Sequence, residues 1–311
     1  MGAFPEWDQG PLDDGFEMHR HDLAEDPNAF LAEVGPRIRG IATRGDLGAG
    51  RTIIDACPAL EVIAIYGVGF DAVDLDACRA RGIVVANTPD VLTKDVADFG
   101  VAMMLALGRG LIGGDHWVRS GQWAEMGMKK LQRRVWGSKA GILGLGRIGH
   151  EIGRRLEAFD MEISYSARAP KDHAAAWTYI PDPVELAAAS DYLFVTLAAS
   201  AETRHIVGRE VIEAVGPEGI IINVSRASNI DEDALIAALS SGALGGAALD
   251  VFEGEPNIDP RFFDLPNALL QPHQGSGTVE TRKDMGKLMR DNLTAHFAGE
   301  PLPTPVPEDA A

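Results

Sequence analysis

Short apolar runs recur along the chain, separated by longer stretches in which apolar residues return every three or four positions. The short runs fall at 16–20 ("FEMHR"), 38–43, 60–67 and 82–87, then at 139–144, 161–166, 191–197, 219–225, 245–251 and 267–271. Several, such as "GIIINVS" at 219–225, are apolar at consecutive positions, the pattern of a strand covered on both faces. Helical spacing fills the gaps, as in "RIGHEIGRRLEAF" (147–159) and "DEDALIAALSSG" (231–242). Strand and helix in alternation predict an α/β fold with doubly wound parallel sheets.

The alternation breaks once. Residues 94–121 read as one long helix or a helix pair, with an apolar face of Val96, Phe99, Met103 and Leu107. That stretch is a natural bridge between two α/β units, and the strands are too many for one sheet. A last amphipathic helix over about 279–298 ends at Gly299, before the proline-rich "PLPTPVPEDAA". The start is unusual: no strand-like run precedes the first loop, so the opening strand of the first unit is absent or shortened.

With 311 residues there is material for two ordinary cores. A net charge of −18 repels phosphate backbones, so nucleic acid is excluded as the expected partner. No apolar run reaches the ~18 residues of a membrane span, and the N-terminus has neither a basic region nor an apolar one. Cys57 and Cys78 have no metal or disulfide spacing, which fits a reducing compartment, and a cytoplasmic location is expected. His19 and His21 lie two apart with no third ligand nearby, so no metal is expected.

Candidate chemistry starts at "GILGLGRIG". Gly144, Gly146 and Gly149 stand in G-x-G-x-x-G spacing between a strand run and a helix. The first allows a tight turn, the second a close approach of backbone to a pyrophosphate, and the third close helix–strand packing. The amides of Arg147 and Ile148 then open a helix, where an anion is favoured. The next strand ends in "EISYSARAPK". No carboxylate stands there to hold a ribose diol. Ser166, Arg168 and Lys171 offer a hydroxyl and two cations suited to a 2′-phosphate. NADPH is the expected cofactor, with NADH as the alternative.

Three later strand ends carry charge. Arg226 follows 219–225, Asp250 ends 245–251 with Glu255 in the loop beyond, and His273 follows 267–271. Ligands of open α/β sheets bind outside the carboxyl ends of the strands. The planar fork of Arg226 suits a carboxylate. Imidazolium at His273 can protonate an oxygen on which negative charge grows, and Glu255 would favour and orient that imidazolium. Together these groups suit hydride reduction of a 2-oxo acid.

These motifs, with "YGVGFDAVDLDACRARGIVVANTPDVLTKDVADFGVAMMLAL", "ALDVFEGEP" and "PHQGSGTVETR", resemble those of the D-2-hydroxyacid dehydrogenases. Within that family the chain is similar to NADPH-dependent glyoxylate/hydroxypyruvate reductases and to plant hydroxyphenylpyruvate reductases. The resemblance runs from about residue 38 to the C-terminal tail. It implies a Rossmann nucleotide-binding domain at 93–278, inserted in a flavodoxin-like substrate domain made of 1–92 and 279–311. It implies Arg226, Glu255 and His273 as the catalytic triad and Asp250 near the nicotinamide. It also implies that the Val68 and Gly69 backbone holds the substrate carboxylate, and that two copies form a homodimer through the long middle helices. Two departures stand out: Ala227 where the family usually has glycine, and Ala198-Ala199-Ser200 where it usually has Pro-Leu-Thr. The rival readings are a reductase of aromatic 2-oxo acids such as phenylpyruvate, and a nucleotide-sensing binding protein like the C-terminal-binding-protein corepressors.

Overall fold

The computed structural model describes residues 2–307. In chain order the elements are α1 (Glu6–Gly15), α2 (Pro27–Val34), β1 (Gly40–Arg44), α3 (Arg51–Ala56), β2 (Val62–Tyr66), α4 (Leu75–Arg81) and β3 (Val84–Ala86). Next come α5 (Thr93–Gly108), α6 (Leu111–Arg119), α7 (Gln122–Met126), β4 (Lys139–Leu143), α8 (Arg147–Glu157), β5 (Glu162–Ser166) and β6 (Thr178–Tyr179). The last are α9 (Pro183–Ala188), β7 (Tyr192–Val195), α10 (Arg209–Val215), β8 (Ile220–Asn223), α11 (Glu232–Ser241), β9 (Gly246–Leu249), β10 (Ala268–Leu270) and α12 (Val279–Ala298). They form two compact units, Met1–Leu92 with Gly277–Ala311, and Thr93–Ser276.

In the first unit β1, β2 and β3 pair in parallel and in sequence order. Ile63 and Ile65 of β2 join a core with Ile54 of α3 and Ala77 of α4. Side chains alternate across a strand, so Val62, Ala64 and Tyr66 face the other way, where α12 packs against β2. Tyr66 donates its hydroxyl to the Arg282 carbonyl at 2.7 Å. Helices therefore cover both faces of the sheet. Thr278 caps α12 by accepting from the Thr281 amide, and Gly299 ends it in a left-handed conformation (φ 76°).

The expected strand at 16–20 is not a strand. Residues 6–15 form α1, and the segment after it pairs with no strand, although β1 has only β2 as a partner among the described strands. Phe16 instead packs its ring against Phe297 (6.0 Å), and Arg20 is held by Asp22 (2.8 Å) and Gln9 (2.9 Å). His19 and His21 are accordingly off any strand, beside Glu17 and Phe30.

The second unit is a seven-stranded parallel sheet in the order β10-β9-β8-β7-β4-β5-β6. The chain starts at β4, runs outward through β5 and β6, then returns to build the other half from β7. The reversal lies between β4 and β7, and crevices for ligands open at such a point. β4 and β7 are almost wholly buried, which is why they read as unbroken apolar runs. α5 buries Val96, Met103 and Met104, and Gly110 (φ 60°) breaks it from α6. Among the described residues no single helix is long and apolar enough to cross a membrane; α5 and α6 pass that test only as a pair bent by 55°.

Cys57 and Cys78 are free and each 1 % exposed. Burial pushes both thiols up, that of Cys78 to about 11. The thiolate is the reactive form. Neither cysteine should therefore be alkylated by iodoacetamide at pH 8 in the native protein, and both should be after urea unfolding, as read by mass spectrometry. Native labelling at the denatured rate would mean that this core opens readily.

Candidate active site

The glycine turn sits at the reversal point of the larger sheet. The Gly144 amide donates to the Ser166 carbonyl (3.0 Å), and Thr196 donates its hydroxyl to the Gly144 carbonyl (2.5 Å). The turn is thus tied to the ends of both neighbouring strands. Gly144 has φ 101°, a conformation for glycine, and a Cβ there would come within 2.9 Å of the Leu197 backbone nitrogen. A Cβ at Gly149 would lie 2.4 Å from the Gly144 carbonyl oxygen, so glycine lets α8 close on the turn. A Cβ at Gly146 would meet nothing within 4 Å, and Gly146 and Arg147 are exposed. No side chain caps α8, so its first amides keep their affinity for an anion. The turn fits a dinucleotide pyrophosphate.

The expected 2′-phosphate readers are less alike than their spacing suggested. Ser166 is 6 % exposed and donates its hydroxyl to the Pro181 carbonyl at 3.0 Å. Its one proton is committed inward, which removes it as a donor to a ligand. The Arg168 side chain is 87 % exposed, 3.7 Å from Glu202. The Lys171 amide donates to the Tyr165 hydroxyl at 2.9 Å, which fixes the backbone of the loop.

Arg226, Asp250 and His273 follow the ends of three adjacent strands, β8, β9 and β10, all paired in parallel. Backbone bonds carry the register past the strands, from the Asp250 amide to the Asn223 carbonyl (3.0 Å) and from the Gln271 amide to the Leu249 carbonyl (2.8 Å). His273 Nδ1 lies 2.8 Å from Glu255 Oε2, and Glu255 Oε1 accepts from the Phe252 amide at 2.7 Å. With Nδ1–H given to the carboxylate, Nε2 is the nitrogen left to serve a ligand. His273 sits at φ 55°, a left-handed backbone that histidine tolerates better than most residues.

Asp250 supports the loop after β10. It is 3 % exposed, and its two oxygens accept from the amides of Gln274 (2.6 Å) and Gly275 (2.8 Å). It holds the loop that carries His273, and its carboxylate is turned into the protein. Burial is the largest influence on this carboxyl and pushes it up, against the two amides that favour its charge. A Cβ at Gly275 would stand 2.9 Å from Asp250 Oδ2, so glycine is needed for that approach.

Two buried asparagines were not singled out from sequence. Asn223 (1 % exposed) accepts from the Ser225 amide and hydroxyl and donates to the Arg226 carbonyl at 3.1 Å. Asn229 donates to the Leu197 carbonyl and to Ser225 Oγ, both at 3.0 Å, joining the loops after β7 and β8. The Arg226 guanidinium donates to the Ser225 carbonyl at 2.9 Å. A polar residue closing the apolar run "IIIN" was the available signal.

In the first unit, the loop after β2 is set by residues after β3. The Thr88 amide donates to the Gly67 carbonyl (2.9 Å), and Asn87 Nδ2 donates to the Val68 carbonyl (2.8 Å). In a planar trans peptide the N–H points opposite the carbonyl. The amides of Val68 and Gly69 are therefore both turned away from Asn87 and Thr88, as a pair suited to an anion.

Comparison with known proteins agrees with this geometry. Residues 101–275 match the model of the D-isomer specific 2-hydroxyacid dehydrogenase, NAD binding domain. The chain is 46 % identical over 295 residues to hydroxyphenylpyruvate reductase of Plectranthus scutellarioides, covering 95 % of this chain and 94 % of that protein. It is 44 % identical over 298 residues to glyoxylate/hydroxypyruvate reductase A of Arabidopsis thaliana, covering 96 % and 95 %. A 2-hydroxyacid dehydrogenase structure from Ketogulonicigenium vulgare has 69 % identity and a TM-score of 0.92, covering 98 % and 96 % of the two chains. The NADPH-dependent glyoxylate/hydroxypyruvate reductase of Sinorhizobium meliloti, in complex with NADP and malonate, has 40 % identity and a TM-score of 0.90, covering 99 % and 95 %. The chain belongs to the D-isomer specific 2-hydroxyacid dehydrogenase family.

Proposed function

We propose that this protein is an NADPH-dependent reductase of small 2-oxo acids, glyoxylate and hydroxypyruvate, to the 2-hydroxy acids. The observation that carries the reading is the His273–Glu255 pair at 2.8 Å, on the same sheet edge as Arg226 and the glycine turn. Gly144, Gly146, Gly149 and the first amides of α8 hold the dinucleotide. When bound, that cofactor supplies the hydride. Arg226 grips the substrate carboxylate with its fork and turns the ketone to a fixed orientation. His273 gives the Nε2 proton to the ketone oxygen as charge grows there, and Glu255 stabilises the imidazolium beforehand. The outer part of the chain's acidic field repels the substrate, so these local donors decide its binding.

NADPH is favoured by what the end of β5 offers, which is Arg168 and no carboxylate. Arg168→Ala should raise KM for NADPH about tenfold, ~1.4 kcal/mol, and leave KM for NADH unchanged in initial-rate kinetics. An equal rise for both cofactors would remove Arg168 as the phosphate reader.

A second reading, reduction of aromatic 2-oxo acids, has the Plectranthus relative in its favour. Initial rates with glyoxylate, hydroxypyruvate and phenylpyruvate, each with NADPH and NADH, separate the two. Preference for the small acids with NADPH supports the first. Preference for phenylpyruvate moves the protein to the aromatic branch, and cofactor binding without turnover of any of the three would make it a sensor.

Two copies form the working unit, in this reading. Leu111, Ile112, Val118, Trp123, Met128 and Leu131 are all exposed within one short stretch of α6, α7 and the segment beyond, a clustering that suits an interaction surface. Sedimentation should give twice the chain mass, and Ile112→Asp with Leu131→Asp should halve it. A wild-type monomer would refute the assembly. The buried free thiols suit a cytoplasmic location.

A further inference from the structure

The loop from 167 to 177 joins β5 to β6 and carries Arg168 and Lys171. Two tyrosines fix its beginning. Tyr179 donates its hydroxyl to the Ala167 carbonyl (3.1 Å), and the Tyr165 hydroxyl accepts from the Lys171 amide (2.9 Å). The rest of the loop is held from outside, along α8.

There His173 meets His150 edge-on, with ring centroids 4.6 Å apart. Trp177 lies on Gly153: a Cβ at that glycine would come within 2.2 Å of the indole carbon Cη2 and 2.6 Å of Cζ3. The indole N–H donates to Glu157 Oε1 at 2.9 Å. His150, Gly153 and Glu157 are three and four residues apart, so they form one stripe on α8. This is the helix whose N-terminus carries the glycine turn. A glycine inside a helix costs roughly 0.5–1 kcal/mol against alanine; here it provides the seat for an indole.

We propose that Trp177, seated on Gly153 and bonded to Glu157, is a positioning residue for cofactor selectivity. It clamps the far end of the loop to the dinucleotide helix and, with the two tyrosines holding the near end, keeps the backbone of Arg168 and Lys171 fixed before the 2′-phosphate arrives. This rests on the NADPH reading above. The need for a clamp follows from Arg168 itself. Its side chain is 87 % exposed and lies 3.7 Å from that of Glu202, which is 82 % exposed. Such a surface pair orders a guanidinium little. Ordering must come from the backbone, and a fixed backbone lowers the entropy lost on binding. NADH has no 2′-phosphate, so a loosened loop costs it nothing.

The test uses the full chain with glyoxylate and either cofactor. Trp177→Ala should raise KM for NADPH about tenfold, with KM for NADH and kcat within about twofold. Trp177→Phe, which keeps a ring on Gly153, should recover most of the loss. Gly153→Ala, which keeps the tryptophan in the chain but displaces its indole from the seat, should repeat the Trp177→Ala pattern. Hydrogen exchange of amides 168–176 without cofactor should accelerate in Trp177→Ala. Equal rises in KM for both cofactors, or no rise, overturn the proposal, as does unchanged exchange. A wild-type enzyme with no preference for NADPH would instead overturn the cofactor reading, and the selectivity role with it. The two failures differ, because the first leaves the wild-type preference intact.

Discussion

His273→Ala is expected to lower kcat for 2-oxo acid reduction by about 10²–10⁴-fold, the usual worth of a positioned proton donor. The dissociation constant for the cofactor should stay within about twofold. The size of the loss follows from how completely the ring is placed. Glu255 holds Nδ1 at 2.8 Å and is itself held by the Phe252 amide, while Asp250 fixes the two residues after the histidine. No water replacing the imidazole would inherit that arrangement. Reduction needs the proton on Nε2 and the reverse oxidation needs it absent. The alanine variant should therefore be slowed in both directions. Glu255→Gln keeps an acceptor for Nδ1–H but no longer favours the imidazolium, and should fall between the two. A near-normal kcat in His273→Ala would remove the histidine from the chemistry.

Arg226→Lys should reduce kcat/KM for the 2-oxo acid by about 2–5 kcal/mol, roughly 30- to 5,000-fold, while KM for the cofactor changes little. Charge is conserved in this substitution, so the loss measures the fork. A guanidinium offers a carboxylate two parallel donors in one plane, whereas an ammonium is a point charge on a flexible stem. The wild-type fork is also aimed, since Arg226 donates to the Ser225 carbonyl and its own carbonyl is held by Asn223. Lysine would keep the backbone anchor and lose the one made by the guanidinium. Unchanged kinetics with glyoxylate would show that the carboxylate is held elsewhere.

Both residues were legible in the sequence because the feature that marks them is local. A charged side chain immediately after an apolar run sits at a strand end, and parallel strands put all such ends on one edge. The glycine turn was legible for the same reason. β6 was not, because two residues show no period. α1 was not, because its run contains Pro11 and glycines, and packing on α12 decides it. The strand expected at 16–20 had a strand's composition, but its end side chains are taken up by Phe297, Asp22 and Gln9 and it joins neither sheet. Ser166 and Asp250 were at the right strand ends and yet turned inward, since sequence position fixes where a side chain starts and its partners decide where it points. Asn87, Thr88 and Trp177 act through residues 19 to 24 positions away, and no spacing rule reaches them.

The first unit is assembled from two separated stretches of chain, with α12 covering one face of β2. During synthesis the strands of residues 1–92 leave the ribosome long before that helix. At ~5–20 residues per second, residues 93–276 take roughly 10–40 s to make. For that interval Val62, Ala64 and Tyr66 have no helix to lie under. The inserted unit can finish folding while the outer one waits with an apolar sheet face bare, and that face is the surface a nascent-chain chaperone would meet.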